Sequence, residues 1–299
     1  MSDEEDLSPE EKIQIAQHYL VNSPPGQFGA VLEDVHALVG AELISSEKLA
    51  AIARDYNTKN LRILRSGEHP PLILSKLAEV DGDATKTKYV EPATKMVYTV
   101  DHAAMALAEG TQPEAYEAGT GGGISEDSIL EESRTLLEAS VGEYVGDCFT
   151  AGTASSAVYA TQPGTLVAVI SGEKLNLRNF WSGQFTSTWT VTLDAAGPTV
   201  TGEIKIRAHY FEEGNVQLQT KKAVGAAVLA VKGGDAAAVA AAIKAHVAVS
   251  EKETMEGLEA MYANMTDETF KSMRRVMPVH RNKMNWNIHE VKLNSTLRK

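Results

Sequence analysis

The sequence predicts an α+β protein: helices first, antiparallel strands in the middle, one long helix after them and a basic tail. Three observations carry this. Apolar residues recur at helical spacing in the first 60 positions, alternate at every second position between 156 and 222, and return to helical spacing in an alanine-rich run after Asp235. The chain has 299 residues, 43% of them hydrophobic and 23% charged, enough to bury a sizeable core as one domain or two.

The elements follow in order. Ser8-Pro9-Glu10-Glu11 is a capping box with Pro at the first helical position, and Ile13, Ala16 and Leu20 make the stripe of the helix it opens. Pro24-Pro25-Gly26 stops that helix. Phe28, Val31, Leu32, Val35, Leu38 and Val39 mark a second helix, and Leu49, Ile52, Ala53 and Tyr56 a third after Ser46, so a small antiparallel bundle is expected. From Leu61 to His102 the runs become short and β-like: Leu61 to Leu64, Leu72 to Leu74, Tyr89-Val90 and Met96 to Val100, with Glu91-Pro92-Ala93-Thr94 as a hairpin turn. Gly110 to Gly123 has no periodicity and reads as a flexible surface loop. It lacks the Lys-Ser/Thr of a phosphate loop and the spacing of a dinucleotide fingerprint. Ser125 to Tyr144 returns to helix, with Ile129, Leu136, Leu137 and Val141 on its apolar side.

The clearest alternation is Phe185, Trp189, Val191 and Leu193 against Thr186, Thr188, Thr190 and Thr192. Asp194 to Pro198 turns the chain into Val200, Ile204, Ile206, Ala208 and Tyr210, and Glu213-Gly214-Asn215 turns it again into Val216 to Gln219. With Ala157 to Ala160 and Leu166 to Ser171 this makes about five strands. Short turns favour an antiparallel meander with one apolar face. Asp235 caps the covering helix, which runs through Val239, Ile243, Val247, Leu258 and Met261 to Met265, about 45 Å at the α-helical rise. Such a helix overhangs a five-stranded sheet, so a second subunit is expected beneath it and no stable monomer.

From Lys271 to Lys299 eight Lys or Arg face one acid, Glu290, so the tail carries +7 on a chain of −12 and the remainder carries −19. Phe270, Met273 and Met277 fall at i, i+3 and i+7 beside Lys271 and Arg275, an apolar stripe next to a cationic one, and Pro278 ends it. This is an arm for an anionic partner. A nonspecific polyanion or nucleic-acid binder is the alternative, but a body at −19 repels nucleic acid and the tail lacks aromatics at stacking intervals. The lone Cys148 excludes an intrachain disulfide, and the eight histidines form no His-x-x-x-His pair. His209, on a polar strand face, is expected to be a hydrogen-bonded structural residue. No nucleophile elbow or Walker motif is present, so neither catalysis nor a cofactor or metal is expected. The acidic start, Asp3-Glu4-Glu5-Asp6, lacks a signal-peptide core, which predicts a soluble, cytoplasmic protein.

Five stretches together resemble the alpha subunit of F-actin capping protein. They are Pro24 to Phe28 with Asp34-Val35; Lys95 to His102; Asn179-Phe180-Trp181-Ser182-Gly183; His209 to Leu218; and Thr269-Phe270-Lys271 to Arg275, continued by Pro278-Val279, Arg281, Lys283 and Trp286-Asn287. The resemblance implies the capping-protein fold: a helical bundle over 1–60, a small β-region and loop over 61–124, helix, central sheet and long helix over 125–265, and an amphipathic tentacle over 266–299. It further implies a heterodimer with a beta subunit, capping of the actin filament barbed end, and a place in the cytoskeleton. Family partners include the dynactin filament, capping-protein-interaction-motif proteins, myotrophin-like inhibitors and phosphoinositides. By position Lys271, Arg275 and Arg281 resemble the family's actin-binding basic residues, with Arg274 and Lys283 beside them. Phe270, Met273 and Trp286 would be the apolar anchors.

Overall fold

The computed structural model describes residues 7–264 apart from 68, 82–84, 195–196, 213–214 and 232–234. The chain divides after Ala248 into two compact units. The first opens with α1 (Pro9–Val21), α2 (Phe28–Val39) and α3 (Ser46–Lys59). Ser8 and Glu11 close the expected capping box, whereas α3 is capped one residue earlier than expected, by the Ser45 side chain accepting from the Lys48 N–H. Ala16, Leu20, Phe28, Val35, Ile52, Ala53 and Tyr56 share one core. Leu38 does not join it and stays 84% exposed, on the outer face of α2.

A small β-region follows. Strands β1 (Ile63–Leu64) and β2 (Leu72–Ile73) pair with each other, while β4 (Met96–Asp101) pairs with β3 (Lys88–Glu91), β5 (Ala106–Leu107) and β6 (Glu114–Ala115). The expected hairpin turn is held by the Glu91 carboxylate, which accepts from the Thr94 N–H and the Thr94 hydroxyl, both at 2.7 Å. The stretch 110–123 is largely exposed, as expected of a surface loop, but its end is packed rather than free. It contains β6, Gly121 bridges to Val80, the Gly122 N–H donates to the Glu79 carbonyl, and the Gly123 carbonyl accepts from Ala160. Glycine is required here by contact as well as by positive φ. A Cβ on Gly122 would sit 2.5 Å from Val90 Cγ2 and one on Gly123 2.6 Å from Tyr159 Cβ.

The central sheet is an antiparallel meander in the order β11-β10-β9-β8-β7, built from β7 (Ala154–Gln162), β8 (Thr165–Asn176), β9 (Trp181–Asp194), β10 (Gly197–Tyr210) and β11 (Val216–Val228). The turns expected at 194–198 and 213–215 contain residues outside the described set. The expectation of a single apolar face is corrected, because both faces are covered. On one face Ala157, Tyr159, Val167 and Val169 join Ile63, Leu72, Leu74, Tyr89 and Tyr98 in one core. Further along that face the polar residues Ser182, Gln184 and Thr186 are buried too. Here Gln184 Nε2 donates to the Asn60 carbonyl at 2.7 Å, and Arg207 donates to Asn60 Oδ1 and the Ser23 carbonyl, so these polar groups are satisfied by the helix ends.

The opposite face carries Trp189, Val191, Leu166, Ile170, Val200 and Ile204, all at most 1% exposed. Trp189 meets His246 edge-on at 6.0 Å. Gly202 makes room for that indole, since any side chain there would overlap its ring. His246 lies on α5 (Ala236–Asn264), whose start Asp235 caps as expected, its Oδ1 accepting from the Ala237 N–H. Ala240, Ile243 and Val247 form the buried stripe of α5.

The fourth helix, α4 (Ser128–Cys148), also differs from expectation. Ile129 is 75% exposed and Leu136 half-buried; the buried stripe is Leu130, Arg134, Leu137, Val141 and Val145. Arg134 sets this rotation. It is 1% exposed and donates to the Val158 carbonyl on β7 at 3.1 Å, the Pro92 carbonyl of the β3–β4 turn at 3.2 Å, and both Glu131 and Glu138. Burial works against the guanidinium charge, but the hydrogen bonds and charges of these two carboxylates hold its pKa above the ordinary value. Burial meanwhile pushes the Glu138 carboxyl up.

Two outcomes follow. Arg134→Met should lower unfolding free energy in urea by about 3–5 kcal/mol, because it leaves buried carboxylates without their partner, and adding Glu138→Gln should recover part of the loss. His102 gives a pH signature: it is 4% exposed, Tyr89 Oη lies 3.0 Å from its Nε2, and burial pushes its pKa from 6.5 down to about 4. The fold therefore holds the neutral ring. Its stability contribution is complete above pH 6.5 and is lost as pH falls towards 4, so His102→Gln should flatten the melting-temperature profile over that window.

Candidate interaction surface

The eight residues singled out by the sequence, Phe270, Lys271, Met273, Arg274, Arg275, Arg281, Lys283 and Trp286, lie outside the described residues, as does Met265. Four of the five stretches that carry the resemblance do fall among the described residues, apart from 213–214, and three of them meet. Gln27, at the start of α2, donates from Nε2 to Ser182 Oγ on β9 at 3.1 Å. The same amide lies 2.7 Å from His209 Nδ1 on β10, and His209 Nε2 lies 3.0 Å from Asn215 Oδ1 before β11. One tautomer serves both contacts: Nδ1 accepts and Nε2–H donates. His209 is 6% exposed and stacks on Phe211 at 5.1 Å, so it is the hydrogen-bonded structural residue expected from the sequence. Its part-buried tie to α2 was not legible, because Gln27 and His209 are 182 positions apart.

This tie orients the end of the sheet at which β10 turns into β11. Among the described residues β11 pairs only with β10 and ends the sheet order. It is 13 residues long, and along it no side chain is fully buried. Val216 and Val228 are 63% and 65% exposed. A long strand with one unpaired edge offers its N–H and C=O groups to another chain. Lys221 and Lys222 interrupt its apolar character, as charged residues commonly do on such an edge.

The second unit is described only through the end of α5. There Ser250, Glu251 and Thr254 are buried, with the Thr254 hydroxyl donating to the Ser250 carbonyl at 2.7 Å. Of the apolar residues expected to be uncovered, Met261 is 44% exposed and Leu258 half-buried; Val249 and Met255 are exposed as well. Among the described residues no group of three or more His, Cys, Asp or Glu could hold a metal ion, and no helix is long and apolar enough to cross a membrane.

An open sheet edge and a helix with exposed apolar residues are each the kind of surface through which a protein binds other chains. Comparison with known proteins makes the class specific. The family model for the F-actin capping protein alpha subunit matches residues 16–296. The F-actin-capping protein subunit alpha of Dictyostelium discoideum is 30% identical over 284 residues, covering 93% of this chain and 94% of that one. Its namesake from Arabidopsis thaliana is 29% identical over 306 residues, covering 96% and 94%. The solved homodimeric actin capping protein alpha subunit from Plasmodium berghei shares the fold, with a TM-score of 0.71 at 23% identity over 90% of this chain and 98% of that one. The chain belongs to the F-actin capping protein alpha subunit family.

The exposed edge predicts a hydrogen-exchange pattern. In the isolated chain the amides of β11 that do not face β10 should exchange far faster than those of β9, which is paired on both sides. Assembly with a partner strand should slow them, and equal protection of β9 and β11 in the isolated chain would contradict an open edge.

Proposed function

We propose that this chain pairs with a capping protein beta subunit and that the heterodimer binds the barbed end of the actin filament, blocking subunit addition and loss. The observation that carries this reading is the family match, which runs to residue 296 and so includes the basic amphipathic tail. The open edge of β11 supports the pairing, because a partner's strand can continue the sheet there. In this reading Lys271, Arg275 and Arg281, with Arg274 and Lys283, supply positive charge to an acidic filament surface. Phe270, Met273 and Trp286 supply apolar anchors that slow escape. The helical bundle over 1–60, the β-region over 61–124 and the core over 125–265 are then the support, and 266–299 the binding arm. A cytoplasmic, cytoskeletal location belongs to the same proposal. So do the dynactin filament, capping-protein-interaction-motif proteins, myotrophin-like inhibitors and phosphoinositides as partners. The solved Plasmodium berghei relative is a homodimer, so self-association is the competing assembly.

The test uses the full chain co-purified with a beta-type subunit in seeded elongation from barbed ends. Neutralising Lys271, Arg275 and Arg281 together to Gln should weaken capping by more than about 1.4 kcal/mol, a tenfold effect, while the melting temperature stays unchanged. Wild-type capping should weaken as salt rises. A folded triple variant with an unchanged capping half-life would place the binding surface elsewhere.

A further inference from the structure

On a chain of net charge −12, one cavity is lined by four cations and no carboxylate. It measures about 380 Å³ and lies where the C-terminal ends of α1 and α3 meet β10 and β11. Its cations are Lys59, Lys205, Arg207 and Lys221. Strand register brings three of them together. Lys205 stands directly opposite Lys221 across the β10–β11 ladder, and Arg207 opposite Gln219, so alternate residues project from the same face.

Like charges directly opposite in a sheet are destabilising. Here a single carboxylate, Glu203, compensates for both lysines, with Oε1 at 2.5 Å from Lys205 Nζ and Oε2 at 2.5 Å from Lys221 Nζ. These contacts hold the Glu203 pKa below the usual carboxylate value. One negative charge serving two positive ones leaves a surplus. Arg207 adds to it, because its hydrogen-bond acceptors are neutral: Asn60 Oδ1 at 2.6 Å and the Ser23 carbonyl at 2.7 Å. Two of its five N–H donors are engaged this way and the guanidinium is fixed in place. Burial lowers its pKa, as expected of a desolvated cation. Lys59 closes the site from the end of α3 and has no carboxylate partner among the described residues. Four cations against Glu203 leave a formal surplus of about three charges around one compact cavity, of a size ordinary for small ligands.

We propose that this cleft binds a compact polyanion of the phosphate class, a polyphosphate or multiply charged phosphate ester, with Lys59, Lys205 and Lys221 gripping its oxygens over a fixed Arg207. The charges converge on one cavity instead of being spaced along a groove, which favours a dense small anion over an extended acidic peptide. Phosphate oxygens match both the lysine ammonium groups and the guanidinium fork.

The experiment is calorimetric titration of the full chain, alone and co-purified with a beta-type subunit, with sodium tripolyphosphate at constant ionic strength. Saturable binding to one site is expected in both preparations. Lys59→Gln combined with Lys221→Gln should weaken it at least tenfold without changing the melting temperature. Glu203→Gln should tighten it several-fold, because it removes the carboxylate that competes for both lysines. That gain cannot come from misfolding. The proposal is overturned if neither variant changes affinity, if a poly-glutamate peptide of equal charge binds more tightly, or if binding to the isolated chain vanishes in the assembled complex. Phosphatidate vesicles separate the two sources of phosphate. Retention that free tripolyphosphate displaces supports the shared site, whereas vesicle binding without any binding of free tripolyphosphate overturns it.

Discussion

Arg134 is the interaction on which the rest of this structure depends. A fully desolvated guanidinium is costly unless its donors are all directed, and here they reach the β3–β4 turn, strand β7 and two carboxylates on its own helix. A single side chain thereby ties α4, the edge of the central sheet and the small β-region to one another. Glu131 sits in the same network, held below its ordinary pKa against the effect of burial by hydrogen bonds from Arg134 and from Lys95, with Lys95 Nζ at 2.9 Å. Lys95 follows the hairpin turn with φ of +54°, an uncommon backbone for a side chain other than glycine. The turn, the helix and the sheet edge therefore specify one arrangement together.

The two faces of the sheet use different physics. One is apolar, and the close approach of α5 depends on alanines on the helix and on Gly202 beneath Trp189. The other begins apolar under the small β-region and becomes polar towards β9 and β10, where Gln184, Arg207 and His209 bond to the ends of the N-terminal helices and to Gln27. Helix C-termini leave carbonyls without intrahelical partners, and these side chains meet that need. The bundle is thus fixed to the sheet by directional bonds at its termini. The strand that lies beyond this polar seam, β11, has no second partner strand among the described residues.

Much of the fold was legible from local pattern. The three N-terminal helices, the Glu91–Thr94 turn, the five-stranded meander and the capped α5 follow from spacing, capping residues and turn chemistry, all of which act between near neighbours. Family membership was legible from five short stretches, three of which the structure brings together around Gln27, Ser182, His209 and Asn215. On α4 the expected Leu137 and Val141 are buried but Ile129 is not, because an apolar count passes over the buried Arg134. Glycine abundance at 110–123 suggested freedom throughout, whereas Gly122 and Gly123 at its end serve close packing against Val90 and Tyr159.

By itself the sequence determined the element types, their order, the antiparallel meander and the charge contrast between tail and body, because each depends on residues close together in the chain. Only the tertiary structure decided which side of α4 is buried, that both sheet faces are covered, and that Lys59, Lys205, Arg207 and Lys221 share a cleft. The reason is that burial of a charge is settled by partners far away in sequence, as Arg207 and Ser23 are at 184 positions. A helical or strand period gives the side of an element on which a residue sits. What covers that side is a property of the assembled chain.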